Sequence, residues 1–200
     1  MTPLPKGKSY TLADLLTWDD GTRYELYDGK LVAMASPSNA HQLISNELSR
    51  QLSNYLFGKQ CKVYPAPFDV QPFAKKEDSP ETITTVVQPD ISIVCDPEKT
   101  GGHGCKGAPD MIIEITSPST GRTDNLIKFH LYRQACVREY WIVEPDIRVV
   151  SVYTLKNGNY YARAYDDTML APVNIFEDCV IDLPKVFEAA LLEKEEDVTQ

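Results

Sequence analysis

No stretch of this 200-residue chain stays apolar for long. Its compact hydrophobic runs, such as Met111–Ile115, are broken by charge, and none approaches the roughly 18 residues that a membrane span requires. The N-terminal residues MTPLPKGKSY lack the apolar core of a secretory signal. Cysteines are few and odd in number; Cys61, Cys95, Cys105, Cys136 and Cys179 are irregularly spaced, so no disulfide framework is expected. No internal repeat is visible, and no linker-like composition divides the chain. Positive charge is also short, with 20 Lys and Arg against 29 Asp and Glu and a formal net charge of −9. That balance argues against a protein that coats nucleic acid without specificity. The expectation is a soluble, cytoplasmic protein with no membrane segment, forming one domain over residues 1–200.

What is present is ordinary globular material, with 42% hydrophobic and 24% charged residues. A chain of this length buries roughly 70% of its unfolded surface, enough for a core without metals or bridges. The acidity is uneven. The stretch from Glu188 onward is acidic, and a frayed tail is expected over about 193–200. Residues 121–140 instead carry Arg122, Lys128, Arg133 and Arg138 against Asp124 and Glu139.

Thr11 caps a short helix, and Thr22–Ala35 reads as a hairpin turning at Asp28-Gly29. The longest helix opens at Ser38 and stops by Gly58, with Leu43, Ile44, Leu48, Leu52, Tyr55 and Leu56 on its apolar face. Cys61–Phe73, with prolines at 65, 67 and 72, suggests an edge or bent strand. Val86–Cys95 and Pro109–Ser117 read as strands separated by the Gly-rich EKTGGHGCKG, expected to be a flexible connection. A helix over Thr123–Cys136 leads into antiparallel strand patterns and a short C-terminal helix from Pro184. The strand–helix–strand stretch 109–145 implies a parallel pair with a right-handed crossover. The fold class is α/β, a mixed central sheet flanked by helices with further antiparallel strands toward the C-terminus.

Asp90 follows Pro89 at the mouth of its strand, and Glu114 stands among apolar residues in the middle of the next. A carboxylate in such a place needs a cation or a donor. On a helical wheel turned about 100° per residue, Ile127, Leu131, Ala135 and Tyr132 form an apolar stripe and Lys128 falls inside it. Two carboxylates and one ammonium suit magnesium- or manganese-assisted phosphodiester hydrolysis, in which hard oxygens hold the ion and a lysine steadies developing charge. The plainer alternatives stay open: a solvated Glu114, and a structural Lys–Glu pair or a snorkelling Lys128. The Cys95, His103, Cys105 set fits no zinc pattern, and TGGHGCKG lacks the spacing of a phosphate loop.

Asp90 in QPD, followed 24 residues later by Glu114, resembles the PD-(D/E)xK motif of restriction-endonuclease-like nucleases. The strings YELYDGKLVAMASPSNAH, PAPFDV, VQPDISIV, GAPDMIIEITSPST and DNLIKFHLYRQACVREYWIVEP resemble the Uma-type family of that superfamily from Tyr10 to about Leu155. The resemblance implies a restriction-endonuclease-like fold and endonuclease activity on nucleic acid, DNA more than RNA. It implies Asp90, Glu114 and the backbone carbonyl of Ile115 as ligands of a magnesium or manganese ion. The motif's lysine position holds Thr116, so Lys128 takes the part of a migrated lysine. Glu25 matches an early acidic position, against a solvated hairpin residue, and His41 faces inward on its helix, against a capping or core histidine. Two other readings remain: a non-catalytic binding or structural module on the same fold, and a hydrolase of small phosphoesters. Aromatic late strands, with YWIV, VVSVY and YYARAY, point to a homodimer.

Overall fold

The computed structural model describes residues 8–102, 104–116 and 121–190, with side chains described from residue 126 in the last stretch. Its centre is a six-stranded mixed sheet. In spatial order this runs β11 (Asn159–Asp166), β10 (Val149–Lys156), β9 (Glu139–Glu144), β8 (Met111–Ile115), β5 (Ile91–Val94) and β3 (Lys62–Pro65). Only β8 and β9 run parallel, joined through α3 (Gly121–Gln134); the other neighbours are antiparallel. Helices α2 (Asn39–Leu56) and α4 (Leu183–Ala189) cover one face, and α3 covers the other.

Strand alternation sorts the two cores. Ile91, Ile93, Met111, Ile113, Ile115, Trp141 and Val143 meet Ile44, Leu48, Leu52 and Leu56 of α2. Val94, Ile112, Tyr140 and Ile142 meet Leu131 and Tyr132 of α3. Ser38 caps α2 by accepting from the His41 N–H, which fixes where the helix starts and where its first turn points. A hairpin, β1 (Tyr24–Tyr27) and β2 (Lys30–Ala33), turns at Asp28 and Gly29, both at positive φ as a two-residue turn of this hand requires. Helix α1 (Leu12–Thr17), held by a Thr11–Asp14 capping box, packs beside this hairpin. The Leu26–Val86 bridge ties the hairpin to the segment entering β5.

Several expectations need correction. The strand read over Val86–Cys95 is regular only from Ile91, because Val86 and Val87 make single bridges to Leu26 and Val70 instead. Cys61–Phe73 splits into β3, at a sheet edge, and β4 (Val70–Gln71), in another sheet. Within the Gly-rich segment, β6 (Thr100–Gly101) and β7 (Gly104–Lys106) form a sheet with β4, pairings that the reading of a plain connection did not include. Gly104 allows this, since a Cβ there would run into the Asp69 carbonyl that accepts the Cys105 N–H. One disulfide does form, between Cys61 and Cys95 at matching ends of β3 and β5, where the cross-strand register brings them together. On α3 the inward stripe is centred on Lys128, Leu131 and Tyr132, and Ile127 lies outside it at 48% exposure. The aromatic surplus of the late strands is also smaller than read: Tyr140, Trp141 and Tyr165 are buried, Tyr153 and Tyr160 pack on Phe129, and Tyr161 stays exposed.

The tail at 193–200, His103, and the side chains of Arg122 and Asp124 lie outside the described residues. Among the described residues, no helix is long and apolar enough to cross a membrane.

Candidate active site

Register fixes the heart of the site. Ile91 pairs with Ile113 and Ser92 with Ile112, so one step further Asp90 stands opposite Glu114. Directly opposed residues of an antiparallel pair put their side chains on the same face. Asp90 Oδ2 accepts the Ile115 N–H at 2.7 Å and lies 3.2 Å from His41 Nε2, delivered by the first turn of α2. Asp90 Oδ1 takes neither of these contacts.

Glu114 is 7% exposed and bonded at both oxygens. Lys128 Nζ lies 3.0 Å from Oε2, and the Tyr132 hydroxyl donates to Oε1 at 2.6 Å. Lys128 and Tyr132 sit four residues apart on α3, so one helix face delivers both. The same ammonium is 3.1 Å from Glu25 Oε1, which also accepts the Gln88 N–H at 2.9 Å. Glu25 Oε2 accepts from the Tyr27 hydroxyl at 2.7 Å, two residues along the same strand. The hairpin, the segment before Asp90, β8 and α3 are thereby joined at one ammonium.

Charge in this cluster is unbalanced. Asp90, Glu114 and Glu25 stand against Lys128 and His41. Burial, with Asp90 and Glu25 nearby, pushes the Glu114 carboxyl up to about 7 despite the opposing pull of Lys128 and the Tyr132 hydrogen bond. Burial opposes the charge on Lys128, but Glu114 and Glu25 outweigh it and hold the ammonium above its ordinary range. Burial likewise opposes the imidazolium of His41, yet Asp90, Glu114 and a backbone contact with Ile115 raise it above 6.5. Two opposed carboxylates and a backbone carbonyl are hard oxygens of the kind that hold magnesium or manganese. Among the described residues, no group of three or more His, Cys, Asp or Glu side chains is arranged to hold a metal ion.

These groups lie at a cleft of about 160 Å³, walled by the hairpin and by the start of α2. Thr116 lines it too, at the position the motif would give to lysine. All the sequence candidates, Asp90, Glu114, Ile115, Lys128, Glu25 and His41, meet at this one place. Sequence reading missed Tyr132, Tyr27 and the Gln88 backbone as partners. The four-residue Lys128–Tyr132 spacing and the Glu25–Tyr27 alternation are the signals that could have found the tyrosines. Of the Cys95, His103, Cys105 set, Cys95 is bridged to Cys61 and Cys105 is buried.

Three comparisons bear on this geometry. The crystal structure of a protein from Anabaena variabilis, described as a "putative nuclease belonging to DUF820", superposes with a TM-score of 0.71 at 19% identity. That match covers 90% of this chain and 99% of the other, and it shows a shared fold. An uncharacterised protein of Synechocystis sp. is 28% identical over 154 residues, covering 76% of this chain and 75% of that one. The family profile described as "Putative restriction endonuclease" matches residues 12–184, and the chain belongs to this family, Uma2.

Proposed function

We propose that the protein is a metal-dependent endonuclease hydrolysing phosphodiester bonds of nucleic acid, DNA in preference to RNA, as one restriction-endonuclease-like domain. In this reading Asp90, Glu114 and the Ile115 carbonyl hold one magnesium or manganese ion, and Lys128 and His41 act beside it. The observation that carries the reading is the opposed Asp90–Glu114 pair at a cleft, with the Lys128 ammonium 3.0 Å from Glu114. Family membership supports it, since nucleases of this fold generally use divalent ions.

When bound there, such an ion supplies a water of lowered pKa and offsets charge growing on the phosphoryl oxygen. The chain's own groups do the rest. The Ile115 N–H and His41 hold Asp90 by Oδ2, which leaves Oδ1 for a ligand. Lys128 brings a fixed positive charge beside the place where the phosphate carries negative charge, worth most in a buried setting. Glu25 acts through Lys128 as a positioning residue, anchored by Tyr27 and Gln88.

A non-catalytic binding module on the same fold is favoured by one observation: both oxygens of Glu114 are already bonded within the protein. The discriminating experiment incubates plasmid and single-stranded DNA with magnesium or manganese, beside an Asp90→Ala control. Metal-dependent cleavage lost in the control supports the endonuclease; DNA retention without cleavage supports the module.

Two further parts of the reading concern context. Homodimerisation is supported by the open edge of β11, eight residues long, proline-free and bearing exposed Tyr161. Sedimentation at micromolar concentration should give a two-chain mass, and a clean monomer removes this part. A cytoplasmic location is part of the same proposal, and localisation of a tagged chain tests it.

A further inference from the structure

Three arginines of this acidic chain are matched with carboxylates: Arg50 with Glu47, Arg138 with Asp110, Arg148 with Asp167. Among the described residues Arg23, Arg133 and Arg163 have no such partner, and of these Arg23 is the one at the cleft. Among the described residues no hydrogen bond or ion pair engages its guanidinium. Its backbone carbonyl accepts the Met34 N–H at 2.9 Å, so it closes the open end of the β1–β2 hairpin in a fixed position. Strand alternation places Arg23 on the same face as Glu25, the residue that reaches Lys128. Two residues of strand separate them by about 6.5 Å. The hairpin wall between them and the opening is apolar, formed by Val32, Ala33, Met34 and Ala35.

We infer that Arg23 is a substrate-binding residue that takes the phosphate next to the scissile one, gripping the backbone of a nucleic-acid strand laid along the hairpin. This inference rests on the endonuclease reading and deepens it. A guanidinium presents paired donors that match phosphate oxygens, and an unpaired one need not break an ion pair first. It also sets a cation at a cleft whose other charged side chains include three carboxylates, Glu25, Asp90 and Glu114. Because Arg23 touches neither Asp90 nor Glu114, it serves binding and leaves the bond-breaking step to them.

The test measures binding of a fluorescein-labelled DNA oligonucleotide by anisotropy, with calcium as the ion, across a series of sodium chloride concentrations. Wild type, Arg23→Ala and Arg23→Lys are compared, and cleavage with manganese is followed in parallel. Arg23→Ala should weaken binding about tenfold. Its plot of log affinity against log salt should flatten by about 0.7 to 0.9, the loss of one phosphate contact. Arg23→Lys should keep the salt slope while losing part of the affinity, since the charge stays and the fork geometry goes. In cleavage, KM should rise with kcat nearly unchanged. Wild-type cleavage with Arg23→Ala unaltered in affinity and slope overturns this inference alone. A fall in kcat at unchanged affinity also overturns it, by moving Arg23 into the chemistry. A wild type that neither binds nor cleaves DNA overturns the endonuclease reading and this inference with it.

Discussion

The Tyr132 hydroxyl donates a 2.6 Å hydrogen bond to Glu114 Oε1, and both side chains are buried. A phenol wholly enclosed by protein, set edge-on against Tyr140, thus holds one oxygen of the carboxylate while Lys128 holds the other. Glu114 has a fixed rotamer and a fixed direction for its remaining lone pairs.

Removing that hydroxyl tests how much the orientation contributes. Tyr132→Phe preserves the ring and leaves Oε1 without its donor. Hydrogen bonds to charged groups contribute about 1.5–3 kcal/mol. We expect a loss of that size in urea unfolding, with the slope of the transition unchanged. Stability equal to wild type would mean that water replaces the phenol and that the bond does not hold Glu114.

Lys128 should matter more, because it neutralises two buried carboxylates at once. Lys128→Met leaves Glu25 and Glu114 facing each other without a cation. Breaking a buried pair by removing one partner costs about 3–5 kcal/mol. Adding Glu114→Gln should return part of that loss, since the uncompensated charge goes. A double variant as unstable as the two losses summed would contradict the coupling.

Glu139 offers a test of burial away from the cleft. It accepts from Trp141 Nε1 at 2.7 Å, Asn174 Nδ2 at 3.2 Å and the Ile175 N–H at 2.8 Å, and it has no exposed surface. Burial raises its pKa above 4.5 in spite of these donors. The folded state therefore holds this proton more tightly than the unfolded chain. The resulting stability is fully present below pH 4.5 and is lost as pH rises through the folded pKa. Glu139→Gln lacks that proton equilibrium. Its stability should improve relative to wild type as pH rises through the window, read by urea unfolding at a series of pH values. A constant difference at every pH would show that Glu139 has its ordinary pKa.

The Cys61–Cys95 bridge spans 34 residues of chain, and closing a loop of that size is worth about 2–4 kcal/mol in the unfolded state. Reduction, or paired substitution by serine, should lower stability by that amount. The β3–β5 ladder should survive, because backbone pairing and Val63, Ile91 and Ile93 hold it. Loss of the folded state on reduction would show that the edge strand depends on the bridge.

What the sequence made legible was local periodicity. Helix α2 was readable because Ile44, Leu48, Leu52 and Leu56 repeat at helical spacing, and the hairpin because Asp28-Gly29 favours one turn type. Asp90 and Glu114 were readable as a pair because strand alternation and a shared motif point the same way. Long-range pairing was less visible. The β4–β7 ladder joins residues more than thirty positions apart through a glycine-rich segment with almost no hydrophobic pattern. The Cys61–Cys95 bridge needs the β3–β5 register, which cysteine spacing does not encode. Ile127 was misplaced because α3 turns Lys128 and Tyr132 inward to satisfy Glu114, shifting the stripe away from the purely apolar centre. In that helix, polar demand at the site outranked hydrophobic periodicity.

The most direct measurement is DNA cleavage in magnesium or manganese by the wild type and by Asp90→Ala, with folding of both verified by thermal melting. Loss of a carboxylate that holds the ion should cost several kcal/mol of transition-state stabilisation, a fall on the order of a thousandfold in rate. Metal-dependent cleavage that collapses in a folded Asp90→Ala protein is the expected result. Cleavage of equal rate in the two proteins, or none by the wild type with either ion, would contradict the account.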